Sequence, residues 1–205
     1  MQEIKHRELN PEKVFFTSDT HFRHAAIVGF CNRPFDSVDD MDEALIENWN
    51  KVVSNDDTVY HLGDFAFCGT QMIKRIRERL NGKIHLIIGN HDIRNINPNT
   101  VGNCFESIEY QRIIEIDGYN VVLNHYPFLC FPGAFNSHLV QLFGHVHTRQ
   151  GNTGNDRDRL QYLYPTQYDV GVDNNNFTPI SWEYVKEKIE NQLLIFNIGN
   201  NVSGL

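Results

Sequence analysis

Metal-capable side chains recur along this chain directly after short apolar segments. The densest cluster is residues 89–92, which read GNHD, so that an amide, an imidazole and a carboxylate follow a turn glycine without a spacer. Related clusters follow other apolar segments, and they read SDTH at 18–21, GD at 63–64, NH at 124–125 and GHVH at 144–147. Oxygen and imidazole donors without thiolate are typical of Mn²⁺, Fe or Zn²⁺ sites. The pattern therefore predicts a metal centre.

The candidate ligands are too numerous for one catalytic ion that keeps an open coordination position. They suit two ions that share a bridging carboxylate. Two ions roughly 3.5–4 Å apart stabilise the attacking and leaving oxygens of a displacement at phosphorus, and they lower the pKa of a bound water toward about 7. The sequence thus favours phosphoester hydrolysis by a metal-bridged hydroxide. The candidate ligands, leaving out His91, are Asp19, His21, Asp64, Asn90, His125, His145 and His147.

The apolar segments before these clusters predict the strands that position them. Strands at 14–18, 58–62 and 83–88 alternate with helical segments at 37–52 and 71–80. This βαβαβ order predicts a parallel sheet. Because ligands bind beyond the carboxyl ends of strands in open α/β sheets, the polar clusters are expected to meet at one edge.

The second half of the chain predicts further strands and one long helix. Residues 149–167 are rich in Gly, Asn and Asp and are interpreted as a surface loop, and a helix is predicted from Thr178 to about Leu193. The dipeptide Asp117-Gly118 is a hairpin signal between two of the strands. The predicted strands cover 105–116, 119–123, 139–143 and 168–173.

Composition bounds the class of protein. The chain has 205 residues, 40% of them hydrophobic, and we interpret it as one domain over 1–205 with peripheral ends at 1–12 and 199–205. No apolar run is long enough to span a bilayer. The four cysteines show no paired spacing, which favours a reducing, cytoplasmic location. A net charge of −8 disfavours extended contact with a nucleic-acid backbone.

Taken in order, the motifs resemble those of the calcineurin-like metallophosphoesterases over about residues 14–175. The local sequence resembles a small, stand-alone prokaryotic or phage branch of that family. The resemblance implies an α/β fold, namely a four-layer α/β/β/α sandwich of two mixed sheets flanked by helices. It also implies a metal-dependent hydrolase with two divalent ions, for which we expect Mn²⁺, with Fe, Zn²⁺ and Ni²⁺ as alternatives.

The resemblance further implies a role for each motif residue. His91 is expected to protonate the leaving group or to stabilise the transition state, and Asp92 to orient His91. Asp64 is expected to bridge the two ions. The first ion is assigned to Asp19, His21, Asp64 and His147, and the second to Asp64, Asn90, His125 and His145.

Four further side chains near the motifs are candidates for substrate contact, each with a plainer alternative. His24 contacts the substrate or is a helix-surface histidine. Arg33 binds a phosphate oxygen with two hydrogen bonds or is an exposed loop arginine. Tyr126 lines the cleft or packs in the core, and Arg149 contacts substrate or solvent.

The expected substrate is a small phosphoester, with nucleotide-like compounds included. A phosphodiester is favoured over a phosphomonoester because no group of Lys or Arg residues near the motifs prepares the site for a dianion. Two alternatives stay open, a phosphomonoesterase and a non-catalytic scaffold with the same fold. The presence of His91 disfavours the scaffold, and the acidic balance disfavours a nuclease that binds extended nucleic acid. Neither a membrane partner nor a particular oligomeric state is predicted.

Overall fold

A computed structural model describes residues 9–131, 133–134, 136–147 and 157–202, with the side chains of 157, 159 and 198–202 left out. A first sheet has the strand order β4-β3-β2-β1-β9. The first four strands along the chain are parallel, as the βαβαβ order predicts, and the last is antiparallel to β1. These strands are β1 (Val14–Thr17), β2 (Thr58–His61), β3 (Lys83–Ile87), β4 (Ser107–Glu109) and β9 (Ile180–Ser181).

A second, four-stranded sheet has the order β5-β6-β7-β8. β5 is antiparallel to β6, and the other neighbours are parallel. Asp117 and Gly118 both have positive φ, 51° and 74°, which is the backbone that a two-residue hairpin turn requires. The strands are β5 (Gln111–Ile116), β6 (Tyr119–Asn124), β7 (Leu139–Phe143) and β8 (Gln167–Asp169).

Helices flank the sheets. The backbone N–H of Asp40 donates to the Ser37 hydroxyl at 3.1 Å, so Ser37 is the N-cap of the second helix. Short 3₁₀ segments occur at Pro11–Lys13, Gly102–Cys104, Arg157–Tyr162 and Val172–Asn174. The α-helices are α1 (Ala25–Phe30), α2 (Val38–Val52), α3 (Thr70–Arg79), α4 (Asp92–Asn95), α5 (Pro98–Val101) and α6 (Trp182–Val202).

Two clusters of buried apolar side chains fill the spaces between the layers. One lies between the first sheet and α2 and α3, and includes Met41, Trp49 and Ile73. The other joins the two sheets, for example through Phe16 and Leu142, and α6 contributes Trp182, Val185 and Ile189 to it. Two mixed sheets flanked by helices confirm the predicted fold class. Within the described part of the chain, no helix is both long and apolar enough to cross a membrane.

Several predicted ends of strands and helices were wrong, because pairing between distant segments decides where these elements end. The single strand predicted at 105–116 is two strands in different sheets, divided at the exposed Tyr110. The strand predicted at 168–173 ends at Asp169, and a 3₁₀ segment follows. The last helix begins at Trp182, because Ile180 and Ser181 pair with β1, and it extends beyond Leu193.

Two other predictions need smaller corrections. Helix α3 covers Thr70–Arg79 instead of the predicted 71–80, and Gly82 has a φ of 88° in the connection to β3. The predicted surface loop at 149–167 contains a 3₁₀ segment from Arg157 to Tyr162, and its first part lies outside the described residues. Neither correction changes which segments deliver the polar clusters.

Candidate metal centre

The motif side chains meet where strands of both sheets end. β1, β2 and β3 are followed by Asp19, Asp64 and Asn90, while β6 and β7 are followed by His125 and His145. Among the described residues, four sets of three metal-capable side chains each bring their ligand atoms within 4.8 Å of one another. One set is His21, Asp64 and His91, and another is Cys31, His147 and Asp173. The other two sets contain only predicted ligands and are called the first and second ligand groups. The first consists of Asp19, His21 and His147, and the second of Asp64, His125 and His145.

Asp64 adjoins both groups. Its Oδ2 lies 3.6 Å from His21 Nε2 and 3.6 Å from His125 Nε2. Its Oδ1 accepts a hydrogen bond of 2.9 Å from the backbone N–H of His91. The amide oxygen of Asn90 lies 3.1 Å from His125 Nε2, on the same side as the second group.

Two buried polar atoms of the first group indicate that the site is built for a cation. Among the described residues, neither Asp19 Oδ1 nor His21 Nε2 has a hydrogen-bond partner, although both side chains are buried. The Asp19 oxygen also lies 3.8 Å from His147 Nε2. Buried polar groups are rarely left without partners, and a bound divalent cation satisfies carboxylate and imidazole donors of this kind. The residues present therefore fit divalent metal binding.

The backbone of these motifs is strained. Residues in the left-handed region include Asp19 (φ 58°), His21 (50°), Asp64 (56°), His145 (72°) and His147 (47°). This conformation is costly for residues other than glycine, and such residues gather at functional sites. The sharp turns bring the side chains back toward a common point. The sequence signal for this was indirect, since Asp and His tolerate the conformation better than β-branched residues do.

The motif glycines make room for the ligands. A Cβ at Gly63, whose φ is 96°, would lie 2.6 Å from Gly89 N and 2.6 Å from His125 Nδ1. A Cβ at Gly89 would overlap the Asp64 carboxylate, and one at Gly144 would overlap Asp19 Oδ2. Glycine at these positions therefore allows loops of the two sheets to approach closely.

Two imidazoles are oriented through the ring nitrogen that faces away from the ligand groups. His125 Nδ1–H donates to the carbonyl oxygen of Leu62 at 2.7 Å. His147 Nδ1–H donates to Asp173 Oδ2 at 2.7 Å. Such partners hold the ring tautomer that leaves Nε2 available to a metal.

Asp173 was missed as a functional residue at the sequence level. The signal was present, because Asp173 follows an apolar segment just as the motif carboxylates do, but the segment was interpreted as a strand through that residue. Its carboxylate also pairs with Arg33, whose Nε and Nη2 donate to it at 2.9 and 2.8 Å. Although burial raises the pKa of Asp173, the hydrogen bond from His147 and the charge of Arg33 hold that pKa below its usual value.

Burial and neighbouring charge shift the pKa values of the ligand groups. Burial, together with the charge of Asp19, raises the pKa of Asp64 to about 8. Burial lowers the pKa of His21 well below its usual value, and His147 and Arg33 lower it further. For His147, burial lowers the pKa, but hydrogen bonds with Asp173 and Cys31 and the charge of Asp19 outweigh this and raise it to about 11. A bound cation favours the deprotonated form of every ligand.

The prediction that Asp92 orients His91 was wrong. The Asp92 carboxylate is buried and accepts hydrogen bonds from the backbone N–H groups of Asp64 (2.7 Å), Gly89 (2.9 Å) and Phe65 (3.0 Å). Asp92 thus holds together the loops that follow β2 and β3. The His91 side chain is 35% exposed, and its Nε2 lies 3.9 Å from Asp64 Oδ2.

The four predicted substrate contacts have different surroundings. The Arg33 prediction was wrong, because its guanidinium is fully buried and hydrogen-bonded to Asp173 and to the carbonyl oxygens of Asp19 and Thr20. The His24 ring lies beside the centre, where its Nδ1 is 3.2 Å from His21 Nδ1. It also stacks on Phe67 with ring centroids 4.5 Å apart.

The remaining two candidates are Tyr126 and Arg149. Tyr126 is partly exposed, and its ring lies 4.8 Å from the His145 ring and 4.9 Å from that of His125. Arg149 lies outside the described residues.

Comparison with known proteins agrees with this geometry. Residues 13–166 match the model of the calcineurin-like phosphoesterase superfamily domain. An uncharacterized protein of Methanocaldococcus jannaschii is 33% identical over 196 residues, which cover 94% of this chain and 99% of that protein. The gene 66 protein of Mycobacterium phage L5 is 31% identical, and the match covers 78% of this chain and 86% of that protein.

A solved structure extends the likeness to the fold. The crystal structure of a protein of unknown function from Aquifex aeolicus superposes with a TM-score of 0.63 at 26% identity, covering 85% of this chain and 97% of that one. The family match together with the carboxylate and imidazole groups supports a metal-dependent phosphoesterase. The chain belongs to the calcineurin-like phosphoesterase superfamily.

Proposed function

We propose that this protein is a binuclear metal-dependent phosphodiesterase that acts on a small phosphoester. The observation that carries the proposal is the position of Asp64, whose Oδ2 is 3.6 Å from an imidazole nitrogen of each ligand group. A carboxylate between two groups is suited to bridging two ions. We assign Asp19, His21, Asp64 and His147 to the first ion, and Asp64, Asn90, His125 and His145 to the second.

The two ions, when bound, supply Lewis-acid stabilisation of the phosphoryl oxygens and a lowered water pKa. We propose Mn²⁺ for both positions, because the donors are oxygen and imidazole atoms. Protein groups supply the rest of the chemistry. His91 is proposed to donate its ring proton to the departing oxygen as the phosphorus–oxygen bond breaks. Its partly exposed ring beside Asp64 supports this role.

A preference for diesters is supported by the ion pairs that the nearby arginines already form with carboxylates. Arg33 is paired with Asp173, and Arg23 is paired with Asp39 and Asp42. The two arginines that follow the first motif are therefore already neutralised by carboxylates. A phosphodiester carries one negative charge at the phosphate, which needs less compensation than the dianion of a monoester. We also propose a single functional domain and a cytoplasmic location.

The first test compares bis(4-nitrophenyl) phosphate with 4-nitrophenyl phosphate as substrates of Mn²⁺-loaded protein. We expect clear turnover of the diester and weaker turnover of the monoester. The reverse preference would identify a phosphomonoesterase. Absence of turnover for both compounds, with two ions bound, would support the scaffold alternative.

The role of His91 is tested with His91→Ala. Loss of a proton donor typically costs about 10²–10⁴-fold in rate, so we expect a fall in kcat of that order with unchanged metal content. His138→Ala removes an exposed histidine outside the ligand groups and serves as the matched control. Loss of metal from the His91 variant would instead identify His91 as a ligand.

A further inference from the structure

A cavity of about 500 Å³ opens beside the second ligand group. His145 forms part of its wall, so the cavity is continuous with the candidate metal centre. Most other wall residues are large and apolar or aromatic. They include Tyr126, Phe128, Leu129, Leu160, Tyr162 and Leu163.

Aromatic contacts connect the cavity wall directly to the ligands. The planes of the Tyr126 and His145 rings are inclined by 68° at a centroid distance of 4.8 Å, and those of the Tyr126 and His125 rings by 75° at 4.9 Å. A group bound against Tyr126 therefore lies next to the imidazoles that are assigned to the second ion.

Buried amides hold one wall of the cavity in place. The Gln141 side chain accepts from the backbone N–H of Phe128 at 3.0 Å and donates to the carbonyl oxygen of Tyr126 at 2.9 Å. Gln167 donates to the carbonyl oxygen of Phe128 at 2.9 Å. These hydrogen bonds fasten the loop after β6 to β7 and β8. The wall is therefore formed before a ligand binds, which limits the entropy lost on binding.

The chemistry of the wall is that of a site for an uncharged ring. None of the described lining residues is Asp, Glu, Lys or Arg. Leu129 and Tyr162 leave 73% and 64% of their surfaces exposed and adjoin other apolar side chains of the same wall. Contiguous exposed apolar surface, unlike single exposed residues, is typical of ligand-binding grooves. The volume lies within the range of small-molecule sites, which are mostly apolar with a few polar groups for orientation.

We propose that this cavity binds the organic group of the phosphodiester, an uncharged planar ring of the aryl or nucleobase type, while the phosphate lies at the metal centre. The inference rests on the proposed function and narrows it to a substrate class. Tyr126 and the side chains of Leu129, Leu160 and Tyr162 are the specificity-determining contacts.

Binding of two diester analogues to the Mn²⁺-loaded protein tests the proposal without requiring turnover. The methyl ester of phenylphosphonate and the methyl ester of methylphosphonate carry the same charge and differ only in the ring. Dissociation constants are measured by calorimetry. Because its ring is buried against apolar side chains, the phenyl compound should bind at least about tenfold more tightly.

A double variant and its control test whether the cavity causes the tighter binding of the phenyl compound. Leu129→Ala combined with Tyr162→Ala should reduce the phenyl preference to about threefold or less, in line with lost apolar burial, and leave the affinity for the methyl compound nearly unchanged. Both residues are well exposed, so the fold should tolerate the changes. Leu194→Ala combined with Phe196→Ala removes exposed apolar side chains of α6 that do not line the cavity, and this control should keep the preference.

The outcomes separate the two proposals. Equal binding of both analogues by the wild-type protein, or a preference that survives in the Leu129/Tyr162 variant, would overturn the cavity assignment even if diesters are hydrolysed. A phenyl preference that the variant abolishes would support the assignment even if bis(4-nitrophenyl) phosphate is not turned over. In that case it is the proposed activity that fails.

Discussion

The two sheets hold their metal-capable side chains in different ways. On the first sheet, the Asp92 carboxylate accepts hydrogen bonds from backbone N–H groups of the loops that carry Asp64 and Asn90. On the second sheet, the rings of His125 and His147 are held individually through Nδ1, by a carbonyl oxygen and by Asp173. One region is positioned through its backbone, and the other through its side chains.

The difference shows that a buried carboxylate beside a metal centre can have either of two tasks. Asp92 and Asp173 are both buried, and each lies in a short helical segment a few residues after a strand, Asp92 at the start of α4 and Asp173 in the 3₁₀ segment after β8. The described partners of Asp92 are backbone amides, whereas Asp173 contacts an imidazole and a guanidinium. Loss of the first should therefore affect mainly the stability of the fold, and loss of the second should also affect metal affinity.

The largest expected effect comes from Asp64→Asn, because Asp64 adjoins both ligand groups. Removing the shared negative charge should lower occupancy of both ions and reduce turnover by roughly a hundredfold or more, exceeding the effect of a group that only supports a ligand. Metal content by mass spectrometry and the rate of diester hydrolysis check this. Retention of two tightly bound ions would contradict the bridging assignment.

Asp173→Asn should have the second-largest effect. The loss of a carboxylate behind a ligand histidine typically costs about 10–100-fold in metal affinity. It also leaves the Arg33 charge buried without its partner, and breaking such a pair costs about 3–5 kcal/mol. Metal titration and denaturant unfolding of the metal-free protein measure the two effects. An unchanged affinity for both ions would show that Asp173 has no role in orienting His147.

Asp92→Asn should lower the free energy of unfolding by about 1–3 kcal/mol, because backbone N–H groups lose a charged acceptor. The stability loss should appear in the metal-free protein, and metal affinity should change less than for Asp173→Asn. Comparison of the two variants under the same conditions sharpens the distinction between the regions. If Asp92→Asn weakens metal binding more than Asp173→Asn does, the distinction is wrong.

Two glycine substitutions, of which Gly29→Ala has the smallest expected effect, test how closely the motif loops approach each other. Gly144→Ala places a methyl group against Asp19 Oδ2 and Ser18 Oγ, and such overpacking typically costs about 1–3 kcal/mol. Gly29→Ala is the matched control, since a Cβ at Gly29 in α1 has nothing within 4 Å. In a helix that change should stabilise by roughly 0.5–1 kcal/mol. Unfolding curves of both variants should therefore shift in opposite directions.

Much of the candidate site could be predicted from local sequence. Each candidate ligand directly follows an apolar segment, and the period of those segments indicates strands whose ends share an edge. The positions of Arg33 and Asp92 could not be predicted, because residue type alone does not tell whether a charged side chain is buried. The cavity beside His145 was also missed, since Leu160 and Tyr162 occur in a segment that reads as a polar loop.

The sequence by itself determined the fold class, the family and the residues that gather at the strand ends, because these depend on patterns within a few residues of each motif. The tertiary structure alone decided which partners those residues have. Arg33 and Asp173 pair across 140 positions, and the split of 105–116 between two sheets depends on which neighbours each half meets. Such contacts arise from the packing of distant segments, and the local pattern of apolar and polar residues does not predict them.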